Sequence, residues 1–131
     1  MLTEVLLVCE THSITEVLLA LRFGRISELP GECPMLSGAY ATEMVKGMQE
    51  GISYPKYIKI ASALKHFTCY STETDRMQMI FNVSQFDLFD SYLPQYKAGF
   101  IEGGAMGAMC SCERAFLSTV PVRFHCVYIF I

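Results

Sequence analysis

The sequence predicts an α/β fold, because segments with helical and strand patterns alternate along the chain. Two observations carry this prediction. Apolar residues recur with a period near 3.6 in residues 37–51 and 84–102, and short runs of apolar and small residues occupy 57–67 and 105–112. The order helix, strand, loop, helix, strand implies parallel strands with right-handed crossovers. With further units on either side, this pattern gives a doubly wound sheet or a (β/α)8 barrel.

The composition is that of a folded chain with a large apolar content. Hydrophobic residues make up 52% of the 131 residues and charged residues 18%, which excludes disorder and favours a piece of a larger fold. A net charge of −3 without Lys/Arg clusters argues against nucleic-acid binding. No apolar run approaches the roughly 20 residues of a membrane span, and no signal peptide is recognised, so localisation stays open.

The six cysteines match no zinc-ligand spacing, and phosphate-loop and dinucleotide motifs are missing from the sequence. We therefore expect no metal ion and no cofactor. Buried free thiols are the first interpretation of the cysteines, and a disulfide framework is the alternative. The cysteines are Cys9, Cys33, Cys69, Cys110, Cys112 and Cys126.

The first predicted helix follows a loop at residues 27–38, which holds two prolines and two glycines. Ser37 offers an N-cap and Gly51 a stop. The apolar positions between them have the spacing i, i+3, i+4, i+7 of one helix face. They are Ala41, Met44, Val45 and Met48.

The second helical region is predicted to begin after a polar loop at residues 71–82. Ser84 and Asp87 form an S-x-x-D cap. Pro94 interrupts the pattern and should kink the helix or start a second short one. Gly103 should end it. The apolar positions of this region are Phe86, Phe89, Leu93, Tyr96 and Phe100.

Lys65 and His66 end the first predicted strand, where α/β folds bind their ligands. An ammonium group and an imidazole together suit hydroxyl-rich or anionic ligands. The alternative is a surface salt bridge beside a structurally satisfied histidine. Because neighbouring strand residues point to opposite faces, one ligand can contact both only if the backbone is irregular here. Arg25 is a further candidate, with pairing to Glu28 as its ordinary interpretation.

Four ordered segments of the chain resemble glycoside hydrolase family 3, most closely its β-xylosidase branch. They are GRISELPGECPMLSGAYATEMVKGMQ, ALKHFTCYS, DR and FNVSQFDLFDSYLPQYKAGFIEGGAMGAMCS. The resemblance implies a segment of a (β/α)8 (TIM-like) barrel and retaining exo-hydrolysis of β-linked oligosaccharides, xylosides or glucosides. It also implies that Arg25, Lys65 and His66 bind the sugar in the first subsite.

The resemblance covers residues 22–112, which we interpret as a partial family-3 N-terminal domain between unmatched segments 1–21 and 113–131. Three positions depart from the family pattern. Phe23 replaces a tryptophan, Cys33 a carboxylate, and Cys112 the tyrosine next to the family's M-x-S motif.

The family's nucleophile has no counterpart in this sequence, since no S-D pair and no aspartate follow Asp90. The resemblance implies that the family's later acid/base glutamate is missing as well. We therefore expect a glycosidase segment that is catalytically incomplete alone. The alternative is a non-catalytic carbohydrate-binding or interaction protein that keeps part of the sugar pocket. A third hypothesis is a thiol enzyme that uses Cys69 or Cys112, although no orienting group beside His66 is indicated.

Overall fold

The computed structural model describes residues 8–10, 28–50, 58, 60–70, 73–75, 78, 80–111, 114–117, 120–123 and 128–130. The strands are β1 (Val8–Glu10), β2 (Ala63–Phe67), β3 (Ile80–Val83), β4 (Gly107–Cys110), β5 (Arg114–Leu117), β6 (Val120–Arg123) and β7 (Tyr128–Phe130). The helices are α1 (Pro34–Gln49), α2 (Gln85–Asp87), which continues as a π-helix over Leu88–Tyr92, and α3 (Pro94–Lys97), which continues as a π-helix over Ala98–Glu102.

Two sheets contain the strands. The first has the order β1-β2-β4-β7, in which β1, β2 and β4 are parallel and β7 is antiparallel to β4. The second has the order β3-β5-β6, with β3 parallel to β5. Helix α1 packs against α3 and its π-helical continuation. Parallel strands connected through helices confirm the predicted α/β class.

Helix α1 begins four residues earlier than the predicted N-cap at Ser37 implies. Pro34 occupies the first turn, where its missing N–H is not needed, and Cys33 is the N-cap. The prediction of Ser37 as N-cap is therefore wrong. Ser37 lies inside the first turn, where its amide donates to the Cys33 carbonyl at 2.9 Å and its buried hydroxyl donates to the Gly31 carbonyl at 3.1 Å. The helix ends at Gln49, and the predicted stop, Gly51, lies outside the described residues.

The local signals of the second helical region are confirmed. The Asp87 amide donates to the Ser84 hydroxyl oxygen at 3.0 Å, and the Ser84 hydroxyl donates to the Asp87 carboxylate at 2.6 Å. Pro94 starts α3, and Gly103 is the cap after the last helical residue. Throughout the residues that the structure describes, no helix is long and apolar enough to span a bilayer.

The predicted strand boundaries agree less closely with the structure than the predicted helix boundaries do. The predicted strand at 57–67 is correct only from Ala63 onward, and Ile58 is 53% exposed. The predicted loop at 71–82 is wrong at its end, because β3 starts at Ile80. Gln49 fixes the entry to β2: its side chain accepts from the Ser62 amide at 3.1 Å and donates to the Gly104 carbonyl at 2.8 Å.

The core lies between α1, β2 and α3. Leu64 is fully buried at its centre, and Gly99 allows the π-helical segment to approach it closely. A Cβ atom on Gly99 would lie 2.7 Å from Leu64 Cδ1, which is too close for van der Waals contact. The other buried members of this cluster are Ala41, Val45, Tyr96 and Ala105.

Replacing Ser84 with alanine is expected to lower the free energy of unfolding by about 1 kcal/mol, because the Asp87 amide loses its N-cap acceptor. Chemical denaturation followed by circular dichroism measures this change. Ser84→Thr keeps the hydroxyl, which both accepts from the Asp87 amide and donates to the Asp87 carboxylate, and serves as the control. Equal stability of Ser84→Ala and the unmodified chain would contradict the prediction.

Candidate functional site at the carboxyl end of strand β2

Lys65 and His66 are the third and fourth residues of the five-residue strand β2, whose neighbours β1 and β4 are both parallel to it. Both side chains are buried, with 8% and 9% exposure. They therefore lie in the carboxyl half of a central parallel strand, the part of an α/β sheet that faces a ligand site.

The backbone of β2 is irregular at this point. Lys65 is opposite Met109 on β4, whereas Phe67 is opposite Cys110, so His66 is an extra residue without a counterpart in the ladder. The Lys65–His66 and Phe67–Thr68 peptide bonds are cis. An extra residue of this kind breaks the alternation of a strand and redirects a side chain. This is the irregularity that binding of one ligand by both residues requires.

Lys65 makes an ion pair with Glu28, with 3.4 Å between Nζ and Oε2. The Lys65 side chain is only 10% exposed and that of Glu28 is 41% exposed. A buried ammonium group requires a partner, and this carboxylate supplies one. The salt bridge considered from sequence is present, but its lysine lies inside the fold and not on the surface.

His66 is bordered by two tyrosines. The Tyr70 ring meets the imidazole edge-on, with 5.0 Å between ring centroids, and the Tyr70 hydroxyl donates to Glu73. The Tyr96 hydroxyl donates to the His66 backbone carbonyl at 2.7 Å in a buried hydrogen bond. The imidazole therefore has an aromatic neighbour, and its backbone is fixed from the α3 side.

The chain immediately after His66 is held by the end of β4. The Ser111 amide donates to the Phe67 carbonyl at 2.8 Å, and the Ser111 hydroxyl donates to the Thr68 carbonyl at 3.0 Å. Thr68 and Ser111 are 5% and 1% exposed. Residues 65–68, called the 65–68 corner below, thus receive hydrogen bonds from two other elements.

The predicted site is described only in part. The structure describes Lys65 and His66, which are consecutive residues of β2, whereas Arg25 lies outside the described residues. Sequence reasoning missed Glu28 as a member of the site. The available signal was a carboxylate three residues after Arg25, in a loop rich in proline and glycine.

The structure describes only one of the two cysteines of the thiol hypothesis, Cys69, and its burial disfavours a reactive role. Cys69 is 3% exposed and belongs to an apolar cluster with Val83 and Leu88. Burial raises the pKa of the Cys110 thiol, which disfavours the reactive thiolate there. Cys33 has an exposed free thiol, and Cys112 lies outside the described residues.

Within the described ranges, no group of three or more His, Cys, Asp or Glu residues is arranged to hold a metal ion.

A sequence comparison decides the family. Residues 14–119 match the Glycosyl hydrolase family 3 N terminal domain. The chain belongs to glycoside hydrolase family 3. The resemblance drawn from the ordered motifs is confirmed.

Two relatives of this family-3 chain are β-xylosidases of plants. Beta-D-xylosidase 3 of Arabidopsis thaliana is 40% identical over 95 residues, which cover 69% of this chain and 12% of that protein. Beta-xylosidase/alpha-L-arabinofuranosidase 1 of Medicago sativa subsp. varia is 38% identical over 98 residues, covering 71% of this chain and 13% of that protein. The chain thus spans a small fraction of the length of these relatives.

Solved structures show the same fold. β-Glucosidase 3B from Thermotoga neapolitana, in complex with glycerol, matches with a TM-score of 0.69 and 25% identity over 86% of this chain and 14% of that chain. The Bifidobacterium adolescentis GH3 β-glucosidase matches with a TM-score of 0.70 and 26% identity over 88% of this chain and 15% of that chain. The family-3 N-terminal domain is a TIM barrel, so the predicted barrel segment is confirmed.

Proposed function

We propose that this chain is the part of a retaining exo-β-glycosidase, of β-xylosidase type, that contributes a sugar-binding corner to the active site. The observation that carries the proposal is the pair of buried, cation-capable side chains at the carboxyl end of β2. In a barrel enzyme, residues at this end of the strands face the substrate.

The chemistry of the corner suits the hydroxyl groups of a sugar. The Lys65 ammonium group has three N–H donors, and its contact with one Glu28 carboxylate oxygen leaves donors for a ligand. His66 can donate or accept a hydrogen bond at its ring nitrogens. Hydrogen bonds that strengthen in the transition state lower the barrier to hydrolysis. The substrate class proposed is a β-linked xyloside, glucoside or oligosaccharide, in agreement with the names of the β-xylosidase relatives.

Arg25 is proposed as the third sugar-binding residue. It precedes Glu28 by three residues, and the Glu28 carboxylate lies 3.4 Å from Lys65 Nζ. Three residues of extended chain span at most about 11 Å, so this sequence separation allows Arg25 to reach the same corner. The planar guanidinium group would add paired donors to the sugar hydroxyls.

The catalytic carboxylates are proposed to come from outside this sequence. A retaining glycosidase needs one carboxylate as nucleophile and a second carboxyl group as acid. The sequence has no aspartate after Asp90 and no S-D pair on a later strand. Large exposed apolar side chains, such as Phe86, Phe89 and Ile101, are those expected to pack against further barrel segments.

The 131-residue chain alone is expected to release no 4-nitrophenol from 4-nitrophenyl β-D-xyloside or the corresponding glucoside, because it lacks the nucleophile. Absorbance of the released phenolate measures this, with a family-3 β-xylosidase as the positive control. Turnover by the purified chain above the buffer rate would contradict the proposed division of catalytic residues.

A further inference from the structure

The 65–68 corner is held by two hydroxyl groups that belong to neither β2 nor its turn. We infer that Ser111 and Tyr96 are positioning residues, which keep the corner in the shape that presents Lys65 and His66 to a ligand. The inference rests on the proposed sugar-binding function and extends it to residues that do not contact the sugar.

Ser111 fixes the carboxyl end of the corner. Its amide and its hydroxyl donate to consecutive carbonyls, those of Phe67 at 2.8 Å and Thr68 at 3.0 Å. These acceptors lie just beyond His66, where the ladder between β2 and β4 has lost its regular register. Since buried carbonyls need donors, the side chain replaces a hydrogen bond that the irregular strand no longer makes.

Tyr96, on helix α3, holds the corner by a hydrogen bond to the His66 backbone. Its hydroxyl donates to the His66 carbonyl at 2.7 Å, and the residue is only 2% exposed. Its ring also packs edge-on against Phe67, with 5.0 Å between centroids. The ring contact is available to phenylalanine as well, so only the hydroxyl is specific to holding the His66 peptide.

Both hydroxyls donate to backbone carbonyls and do not occupy the Lys65 and His66 side chains, which are proposed to bind the ligand. Their loss should therefore loosen the corner without removing any group that binds sugar. A serine elsewhere provides the contrast. Ser62 is also 1% exposed, but its hydroxyl has no hydrogen-bond partner in the part of the chain that the structure describes.

The test uses the 131-residue chain and two readouts that need no sugar. The first is the 13C′ chemical shift of the Thr68 and His66 carbonyls, which reports each hydrogen bond. The second is the rate at which diethyl pyrocarbonate modifies His66, followed by peptide mass spectrometry. Ser111→Ala and Tyr96→Phe are the test variants. Ser62→Ala and Tyr40→Phe are matched controls, since Tyr40 lies on α1 and is 44% exposed.

Loss of one such hydrogen bond should raise the His66 modification rate about fivefold in each test variant. The Thr68 signal should shift in Ser111→Ala and the His66 carbonyl signal in Tyr96→Phe, while both controls retain the original rate. If the His66 carbonyl signal shifts in Tyr96→Phe but the His66 modification rate stays unchanged, Tyr96 has no positioning role. If the Thr68 carbonyl signal shifts in Ser111→Ala but the modification rate stays unchanged, Ser111 has none. Equal increases of the modification rate in the two controls would overturn both roles.

A third readout separates this inference from the proposed function. Methyl β-D-xyloside is titrated into the unmodified chain while the Lys65 and His66 side-chain signals are recorded. Shifts at these signals that weaken in both test variants support positioning for sugar binding. If the sugar moves neither signal in the unmodified chain, the proposed function fails, and the modification rates still decide whether the two hydroxyls hold the corner.

Discussion

Lys65→Ala is expected to reduce kcat/KM for an aryl β-xyloside by about 2 to 4 kcal/mol of transition-state binding, the scale of a lost charge-assisted donor. The substitution also leaves Glu28 without the ammonium group that lies 3.4 Å away. Because the catalytic carboxylates are proposed to lie outside this chain, the measurement uses a chimera. In it, residues 14–119 replace the matching segment of a family-3 β-xylosidase.

Lys46→Ala is the matched control for this prediction. Lys46 lies on α1 with 43% of its side chain exposed, and its contact with Glu43 at 3.9 Å is a surface pair of small energetic value. We expect its kcat/KM to stay within twofold of the unmodified chimera, about 0.4 kcal/mol. Equal kinetics for Lys65→Ala and Lys46→Ala would remove Lys65 from the site.

Leu64→Ala is expected to lower the free energy of unfolding of the 131-residue chain by about 2 to 5 kcal/mol. Leu64 is completely buried between α1 and the π-helical end of α3, and Gly99 lies directly against its methyl groups. Truncation removes apolar contacts and leaves a cavity that the closely packed helices fill only in part. Urea denaturation followed by circular dichroism measures the loss.

Leu36→Ala provides the control for the core prediction, because Leu36 is 53% exposed on α1. Its cost should stay near or below about 0.5 kcal/mol, as for most surface substitutions. If Leu64→Ala were no more costly than Leu36→Ala, Leu64 could not be the centre of the core that supports β2.

Local signals in the sequence predicted much of the helical structure. The Ser84 cap, the restart at Pro94 and the end at Gly103 each depend on residues within one turn of the boundary. Ser37 misled because serine is a favoured N-cap residue, whereas the observed N-cap, Cys33, makes no side-chain capping hydrogen bond. Pro34 needs no amide hydrogen bond in the first turn, so the helix starts after Cys33 and Ser37 is drawn inside.

Lys65 and His66 could be predicted from the sequence, whereas the residues that contact them from other parts of the chain could not. Lys65 and His66 stand out because they follow an apolar run at a strand end. Glu28 is 37 residues away from Lys65, and Ser111 is 43 residues away from Thr68. Tyr96 was predicted only as an apolar helix position, since nothing local indicates that its hydroxyl reaches the His66 carbonyl. Such long-range pairs become visible only once β2, β4 and α3 are assembled.

The central claim is that Lys65 and His66 contact the sugar, and a crystal structure of the chimera with bound xylose tests it most directly. The prediction is that Lys65 Nζ and a ring nitrogen of His66 each lie about 2.7 to 3.2 Å from hydroxyl oxygens of one sugar ring. A well-ordered xylose in the active site that lies beyond hydrogen-bond distance of both side chains would contradict the account.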